Sequence, residues 1–343
     1  MSSAPNGRMS IVKNIRRAIG NVVFGDTVIP QEFTIGLTNP QAEIVVWLHG
    51  MGAPRDVTSF YSTACCAPFV LCIAFEKGKE PSEKQLKRLS LEFCERTGQK
   101  RVLGKIGLKP AKAVTSTAGG LFFFEVRSSA NYCLPSMRLG AHYLRESYSL
   151  WRNVNSSGIE MSLLERRAAI VTFIRPHPIS LVSVLDSHGG NIFTMNIMND
   201  LGHGHFAFAL KHSRTAAPLV ERARRLALSN IPLQQTRIAF QLAANHFKQS
   251  IEWDQLPFKT KPSTKFRIPV PVFALRVREM EVEEIHKIGS HTFFVAKIVS
   301  DETFDHSEMV CAIHGFYQAW RLRGREAELK ESLVQDRLNK KGA

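Results

Sequence analysis

The segment KHSRTAAPLVERA carries side chains that could hold a phosphate group. Lys211 and Arg214 supply positive charge, and Ser213 and Thr215 supply hydroxyls. All four lie where a predicted strand, HFAFALKH, passes into a predicted helix with Pro218 near its start. The free N–H groups and the dipole at a helix N-terminus favour an anion. The alternative is an ordinary helix cap with solvated bases, and this segment alone does not separate the two.

A second polar pattern lies one element earlier, in NIFTMNIMND, residues 191–200. Apolar residues are mixed there with Asn191, Thr194, Asn196 and Asn199. A buried amide without a partner costs roughly 2–7 kcal/mol, so a buried row of this kind needs partners. A ligand with a phosphate and a planar head rich in donors and acceptors would satisfy both segments, and FMN is such a ligand. The alternative is a strand edge whose amides face water.

Other motifs that suggest chemistry are incomplete. The segment VVWLHGMGAP places His-Gly-x-Gly after a strand, as in the oxyanion loop of α/β-hydrolases, but the chain has no G-x-S-x-G turn. The same glycines form a broken dinucleotide motif without a βαβ unit around it. We interpret residues 49–52 as a strand-ending turn. His203 and His205 lack a metal-ligand pattern, which favours a solvated loop and predicts no metal site.

The composition suggests a globular protein with anionic partners. The 343 residues are 44% hydrophobic and 22% charged, and the formal net charge is +15. Lysine and arginine are spread along the chain without interleaved aromatics, which argues against nucleic acid. No apolar run reaches the roughly 20 residues of a membrane span, and the first residues lack a secretory signal. Six cysteines without a CxxC pair predict free thiols in a reducing cytoplasm.

Periodicity predicts a mainly β chain with flanking helices. Strands are predicted at EFTIGL, AEIVVWLHG, APFVLCIAFE and GGLFFFEVRSS, and a long hairpin turns at residues 287–290. Helices are predicted at residues 1–20, 82–98 and 137–151, in NHFKQSIEW and in REAELKESLVQDRLNKK. The linker-like segment NVNSSG, residues 153–158, marks a boundary. The expected domains are an α+β domain at residues 1–152, a barrel at 160–312 and a helical extension at 313–343.

A series of segments in the second half resembles the flavin reductase-like family. It runs from Arg175-Pro176-His177-Pro178 through SLVSVLDSHGGN, the Asn/Thr strand, KHSRTAAPLVE and LALSN to KIGSHTFFVAKIV. The resemblance covers about residues 165–300 and implies the FMN-binding split-barrel fold. Two departures are the bulky Phe193 and Met195 and the missing Pro-Pro in DLGHGHFAFAL. The first 150 residues lie outside the simple family; one interpretation is a diverged second barrel, which would make one chain a pseudo-dimer.

The resemblance also implies roles for individual residues. Those expected along the isoalloxazine ring are Asn191, Thr194, Met195 and Asn196. Those expected at the phosphate are Lys211, Ser213, Arg214 and Thr215. Asn230, which closes LALSN, matches a recurrent asparagine, and His291 in GSHTFF matches a recurrent histidine where a reductant or substrate approaches.

The expected function is therefore that of an FMN-binding oxidoreductase in the cytoplasm. NADH or NADPH would reduce the flavin, and His291 is the candidate catalytic residue. Family members are usually homodimers with FMN near the dimer interface, which predicts a homodimer here. One alternative is an FMN-binding electron-transfer or carrier protein without nicotinamide turnover. Another is a basic nucleic-acid-binding protein.

Overall fold

The computed structural model describes Ile29, residues 31–151 and residues 161–341. The strands are β1 Phe33–Leu37, β2 Ile44–His49, β3 Arg55–Asp56, β4 Tyr61–Cys66, β5 Phe69–Phe75, β6 Ser90–Glu95, β7 Val102–Ser116, β8 Gly119–Asn131, β9 His177–Pro178, β10 Ser180–Asp186, β11 Gly189–Met195, β12 Met198–Gly202, β13 His205–Lys211, β14 Arg225–Asn230, β15 Thr260–Pro262, β16 Pro269–Pro271, β17 Arg276–Ile288, β18 His291–Thr303 and β19 Met309–Ile313. The α-helices are α1 Glu83–Leu86, α2 Ser136–Trp151, α3 Leu163–Thr172, α4 Ala216–Ala223, α5 Thr236–Leu242, α6 Gly315–Arg321 and α7 Glu326–Lys341. Three short 3-10 helices span Leu233–Gln235, Ala243–Phe247 and Trp253–Gln255.

Two antiparallel sheets of seven strands dominate the described structure. The N-terminal sheet has the order β3-β2-β6-β7-β8-β5-β4. The C-terminal sheet has the order β11-β10-β14-β17-β18-β13-β12. When the strands of each sheet are numbered along the chain, both orders read 2-1-5-6-7-4-3. The N-terminal sheet thus repeats the topology of the C-terminal one, and the expected mainly β fold with flanking helices is confirmed.

Each sheet has its own apolar core because alternate residues of its strands point inward. Phe193, Phe208 and Phe294 lie in the core of the C-terminal sheet, where the last two rings stack with centroids 4.8 Å apart. Tyr61 and Phe93 lie in the core of the N-terminal sheet, edge to face at 6.1 Å. Helix α3 and the segment from α6 to α7 add residues to the core of the N-terminal sheet.

A third apolar cluster joins the two sheets. Ala64 and Cys72 of the N-terminal sheet share it with Ala207 and Phe293 of the C-terminal sheet, and all four are buried. Phe293 meets Phe123 edge to face, with ring centroids 5.5 Å apart. The sheets therefore pack on each other within one chain as two halves of one body.

A small sheet of order β1-β19-β9 ties distant parts of the chain together. Strand β1 pairs with β19 from Phe33 opposite Ile313 to Leu37 opposite Met309. Helix α7 closes this region, because Asp336 accepts hydrogen bonds from the Thr34 amide at 3.0 Å and the Thr34 hydroxyl at 2.7 Å. The ends of the described chain are held beside each other.

The predicted helix at residues 82–98 is wrong beyond its first turn. Ser82 forms a capping box with Gln85, but α1 ends at Leu86 and β6 begins at Ser90. In the sequence LSLEFCE the buried residues Leu89, Leu91 and Phe93 alternate with period two. That alternation is the pattern of a strand, and it outweighs the helical start. The predicted helix at residues 1–20 and the linker at 153–158 lie outside the described residues.

Candidate functional site

A cavity of about 310 Å³ lies at one end of the C-terminal sheet. Its lining residues are Cys66, Thr194, Met195, Asn196, Ile197, Ala209, Leu210, Lys211, Arg214, Ala243, His246, Phe247 and His291. The volume falls within the range of about 300–1,000 Å³ that small-molecule sites occupy. Six of the ten residues selected from the sequence come together here: Thr194, Met195, Asn196, Lys211, Arg214 and His291.

Strand pairing and the link from β11 to β12 bring these residues together. Strand β11 ends at Met195, β13 ends at Lys211, and β18 begins at His291. Lys211 pairs directly with His291 in the β13–β18 ladder. Because antiparallel neighbours end and begin at the same edge, Lys211 and His291 meet there. Residues 194–197 reach the same place through the link from β11 to β12, where the Ile197 carbonyl accepts a hydrogen bond from the Ala209 amide of β13 at 3.1 Å.

The cavity carries positive charge without a carboxylate to balance it. Among the described residues, no acidic side chain forms an ion pair with Lys211 or Arg214, and the lining contains no Asp or Glu. The Arg214 guanidinium lies over the Phe247 ring at 3.7 Å from its centroid. This stacking orients a planar cation while its N–H groups can still donate. The arrangement suits an anionic group of a ligand.

The Asn/Thr row is mostly paired inside the protein. Asn191 donates both amide hydrogens, to the Asn245 carbonyl at 2.9 Å and the Lys248 carbonyl at 2.8 Å. Asn199 donates to the carbonyls of Thr58 and Tyr61, and the Thr194 hydroxyl donates to the carbonyl of Ala239.

Asn196 differs from the other residues of this row. Its side chain makes no hydrogen bond to any described residue, yet it lines the cavity. Its amide remains available to a ligand, as both a donor and an acceptor.

A 3-10 helix, Ala243–Phe247, forms a wall that the sequence analysis missed. His246 lies in it and donates from Nε2 to the Thr194 carbonyl at 2.7 Å, with its ring 4.8 Å from that of Phe193. Burial lowers the pKa of His246, so this histidine is neutral at pH 7. The His246 contact fixes the end of β11, where Thr194 and Met195 lie. The segment NHFKQSIEW indicated a short helix, but no local pattern indicated a ligand site.

The N-terminal sheet also contributes to the cavity through Cys66 at the end of β4. Burial raises the pKa of the Cys66 thiol to about 12, so it stays protonated at pH 7. Neighbouring Cys65 lies 3.6 Å from His291 Nδ1, which is itself 2.9 Å from the Ser290 hydroxyl. Burial, followed by the charges of Lys211 and His212, lowers the pKa of His291 to about 4. His291 is therefore neutral at pH 7, and one ring nitrogen can act as an acceptor.

The other four selected residues do not line this cavity. Asn191 is fully buried behind it. Ser213 is exposed. The Thr215 hydroxyl lies 2.8 Å from each of the carbonyls of His246 and Lys248, so it anchors the 3-10 wall to the start of α4. Asn230 is buried and lines a different cavity, where it accepts from the Ser180 hydroxyl at 3.1 Å.

The rejected motifs have ordinary surroundings. Gly50 and Gly52 follow β2 with φ of 106° and 103°, as a strand-ending turn requires. His203 lies in the exposed turn after β12, as expected, but the expectation of a solvated loop is wrong for His205. That residue begins β13, its side chain is largely buried, and its Nε2 is 3.3 Å from Glu283. In the described parts of the chain, no group of three or more His, Cys, Asp or Glu side chains could hold a metal ion. Helices long and apolar enough to cross a membrane are likewise absent from those parts.

Comparison with known proteins agrees with the region selected from the sequence. Residues 174–320 match the family model described as "Flavin reductase like domain". The matched region covers less than half of the chain, and it contains every lining residue of the cavity except Cys66. No curated protein matches the chain at a significant level.

Solved structures of modest similarity include three flavin proteins. An FMN-binding protein from Thermus thermophilus, with bound p-hydroxybenzaldehyde, is 22% identical over 37% of this chain and 72% of its own, with a TM-score of 0.34. An NADH:FAD oxidoreductase from Streptomyces globisporus is 14% identical over 44% and 88%, with a TM-score of 0.39. The styrene monooxygenase flavin reductase from Pseudomonas putida S12 is 18% identical over 41% and 89%, with a TM-score of 0.35.

Proposed function

We propose that this protein binds FMN in the cavity at the end of the C-terminal sheet and acts as an NAD(P)H-dependent flavin oxidoreductase. The family match supports the class of reaction. The observation that carries the cofactor assignment is the pair of cations, Lys211 and Arg214, at a cavity without acidic lining residues. A phosphate would supply the missing negative charge, and charge-assisted hydrogen bonds to it are the strong ones.

The proposal assigns roles to the selected residues in and around the cavity. Lys211 and Arg214 hold the phosphate, and stacking on the Phe247 ring fixes the orientation of the Arg214 guanidinium. The free amide of Asn196 pairs with the polar edge of the ring system. Thr194 and Met195 lie beside that edge at the end of β11. Asn191 and Thr215 support these residues by holding the 3-10 wall through Lys248.

When bound, the flavin supplies the hydride-accepting chemistry, and the protein positions it and limits access of water. Nothing in this reaction requires a strong protein acid, and the lining offers none. His291 remains the candidate closest to the chemistry. As a neutral, buried imidazole it can orient a reactant by a hydrogen bond without adding a charge.

The cavity draws on both sheets of one chain, since Cys66 comes from the N-terminal sheet. The homodimer expected from the family would place a second copy at this position. In our proposal the N-terminal sheet takes the place of that second copy, and the chain acts as a pseudo-dimer. Light scattering should then give a mass near 38.5 kDa. A mass of twice that value would instead support the homodimer expected from the family. The cytoplasmic location also remains part of the proposal.

The deciding experiment is an absorption spectrum of the purified full-length protein after addition of FMN and desalting, repeated anaerobically with NADH and with NADPH. A retained flavin band that bleaches supports the oxidoreductase. A retained band that neither nucleotide bleaches favours the carrier protein. If no flavin band is retained after desalting, FMN is titrated into the protein, and the absence of binding in that titration would show that the proposal is wrong. The double variant Lys211→Ala/Arg214→Ala is the negative control, and Arg222→Ala, whose side chain pairs with Asp186 outside the cavity, is its matched surface control.

A further inference from the structure

A second cavity, of about 420 Å³, shares no lining residue with the proposed flavin site. Gln41 and Ser59 line it from the N-terminal part of the chain. Three arginines line it from the C-terminal part: Arg175, Arg276 and Arg278. The proposed function uses none of these residues.

Arg175 is a buried charge without an acidic partner. Arg175 is 2% exposed, and no carboxylate of the described residues forms an ion pair with it. Its Nη1 donates to the Asn199 side-chain oxygen at 3.1 Å and to the Thr58 carbonyl at 3.4 Å, and its Nε has no acceptor. Both acceptors are neutral. A buried charge is costly unless an opposite charge and hydrogen bonds compensate it.

Arg278 is also buried and only partly satisfied. It is 6% exposed, and it donates from Nη1 to Asp200 at 2.9 Å, while its Nε has no acceptor. The third arginine, Arg276, is compensated by two hydrogen bonds to Asp301. Asp200 and Asp301 thus balance two of the three guanidinium charges. The charge of Arg175 remains at the cavity.

From this geometry we infer that the second cavity binds a small molecule through an oxyanion, a phosphate or a carboxylate group. Guanidinium N–H groups match both kinds of oxyanion, often in pairs. The remaining wall, with Asn39, Gln41, Ser59 and His205, supplies polar contacts for the rest of such a molecule. The volume exceeds what a lone phosphate fills, so the cavity has room for an organic body beside the oxyanion. This inference does not depend on flavin binding.

Titration calorimetry on the full-length protein, at constant ionic strength set with chloride, would test the site. The probes are inorganic phosphate and malonate. We expect at least one of them to bind, and Arg175→Gln to weaken that binding at least tenfold. Arg222→Gln, an exposed arginine on the same part of the chain, should leave it unchanged. The probe that binds more tightly identifies the oxyanion class.

Phosphate could also bind at Lys211 and Arg214, so the same titration is run on Lys211→Ala/Arg214→Ala. Binding that survives in this variant but falls in Arg175→Gln supports the second site, whether or not the protein binds FMN. If Arg175→Gln does not fold, Arg278→Lys, which keeps the charge opposite Asp200, should still weaken binding several-fold. Binding of neither probe, or equal binding in folded wild-type and arginine variants, would overturn the inference.

Discussion

The two sheets share one topology, but they differ at the edge where the cavity lies. In the C-terminal sheet the hairpin turn Gly289–Ser290 precedes His291, which pairs with Lys211. In the N-terminal sheet the corresponding turn, Thr117–Ala118, precedes Gly119. Phe75 pairs with Gly120, so Glu76 occupies the position that matches Lys211. A lysine and a histidine in one sheet are therefore a glutamate and a glycine in the other.

Side chains of the protein itself surround Glu76. Arg55 lies 3.7 Å from it and His203 lies 3.6 Å from it, and Lys79 also forms an ion pair with it. The Arg55 guanidinium lies over the rings of Phe60 and Phe75. The cations at this end of the N-terminal sheet already have an internal anion, whereas Lys211 and Arg214 have none.

The elements that follow the two matched strands also differ. Strand β13 ends at Lys211, and α4, a helix of eight residues, begins at Ala216 after a short turn. Strand β5 leads into a turn, and α1, with four residues, begins only at Glu83. Duplication of a topology thus preserves the sheet, because the apolar alternation of the strands is kept. It does not preserve a ligand site, because that depends on a few side chains at the sheet edge. We expect one flavin for each chain.

The largest effect on FMN affinity should come from replacing Lys211 with glutamate, the residue type found at the matching position, Glu76, in the N-terminal sheet. Lys211→Glu removes a charge-assisted hydrogen bond and adds repulsion toward phosphate, which should weaken FMN binding by about 4 kcal/mol, or roughly 1,000-fold. Fluorescence titration of FMN measures this. The reciprocal change, Glu76→Lys, should not create a second site, because Gly119 and the short, more distant helix α1 remain. Two flavins bound to that variant would show that the charge alone separates the two sheets.

The contact between the sheets is tested by Gly202→Ala. Gly202 has φ of 78°, and a Cβ there would lie 2.2 Å from Phe60 Cε1. We expect a loss of about 3 kcal/mol in the free energy of unfolding, combining overpacking with the cost of a left-handed backbone. Gly204→Ala is the control, since its φ of 77° is similar but nothing lies within 4 Å. If urea unfolding gives the same loss of free energy for both variants, the Phe60 side chain moves aside and the packing between the sheets tolerates the added methyl group.

Acid should act through buried histidines of the C-terminal half. Burial lowers the pKa of His177 to about 3 and that of His314 to about 3, while His291 is lowered to about 4. Between these values and about 6.5 the unfolded chain binds more protons than the folded one, so stability is lost as the pH falls. Each histidine should cost about 2 kcal/mol at pH 5 relative to neutral pH.

Urea unfolding at pH 7 and pH 5 measures this loss. His177→Gln should reduce the difference between the two pH values by about 2 kcal/mol, because one buried titrating group is removed. His49→Gln in the N-terminal sheet serves as the control, because His49 is partly exposed beside Glu92. An unchanged pH dependence in His177→Gln would exclude this mechanism for His177.

The smallest effect is expected from Arg214→Lys. The charge is kept, but the planar stacking on Phe247 and the forked donor geometry are lost. FMN affinity should fall by about 1 kcal/mol, roughly fivefold to tenfold. Arg222→Lys provides the matched control on the exposed face of α4. An affinity equal to that of the wild type would show that Arg214 acts only as a point charge, as Lys211 does.

Local sequence was sufficient for the parts of the molecule that depend on neighbours along the chain. Alternating strands, the hairpin at residues 287–290 and the strand-to-helix passage after Lys211 are properties of short segments. Thr194, Asn196, Lys211 and Arg214 could therefore be selected before the fold was known. The helix expected beyond Leu86 failed because a good capping box preceded a two-residue alternation, and the sheet could bury that alternation.

Tertiary structure decided which of the selected residues face a ligand. The polar row from Asn191 to Asn199 looked uniform in sequence, but every member except Asn196 donates a hydrogen bond to a carbonyl of the protein. The accepting carbonyls include those of Lys248, Ala239 and Thr58. Cys66 and the 3-10 wall reach the cavity from segments far from it in the chain. The correspondence between Lys211 and Glu76 becomes visible only when the β13–β18 strand pair is superposed on the β5–β8 strand pair. A sequence determines which groups can pair, but only packing determines which groups are already paired and which remain free.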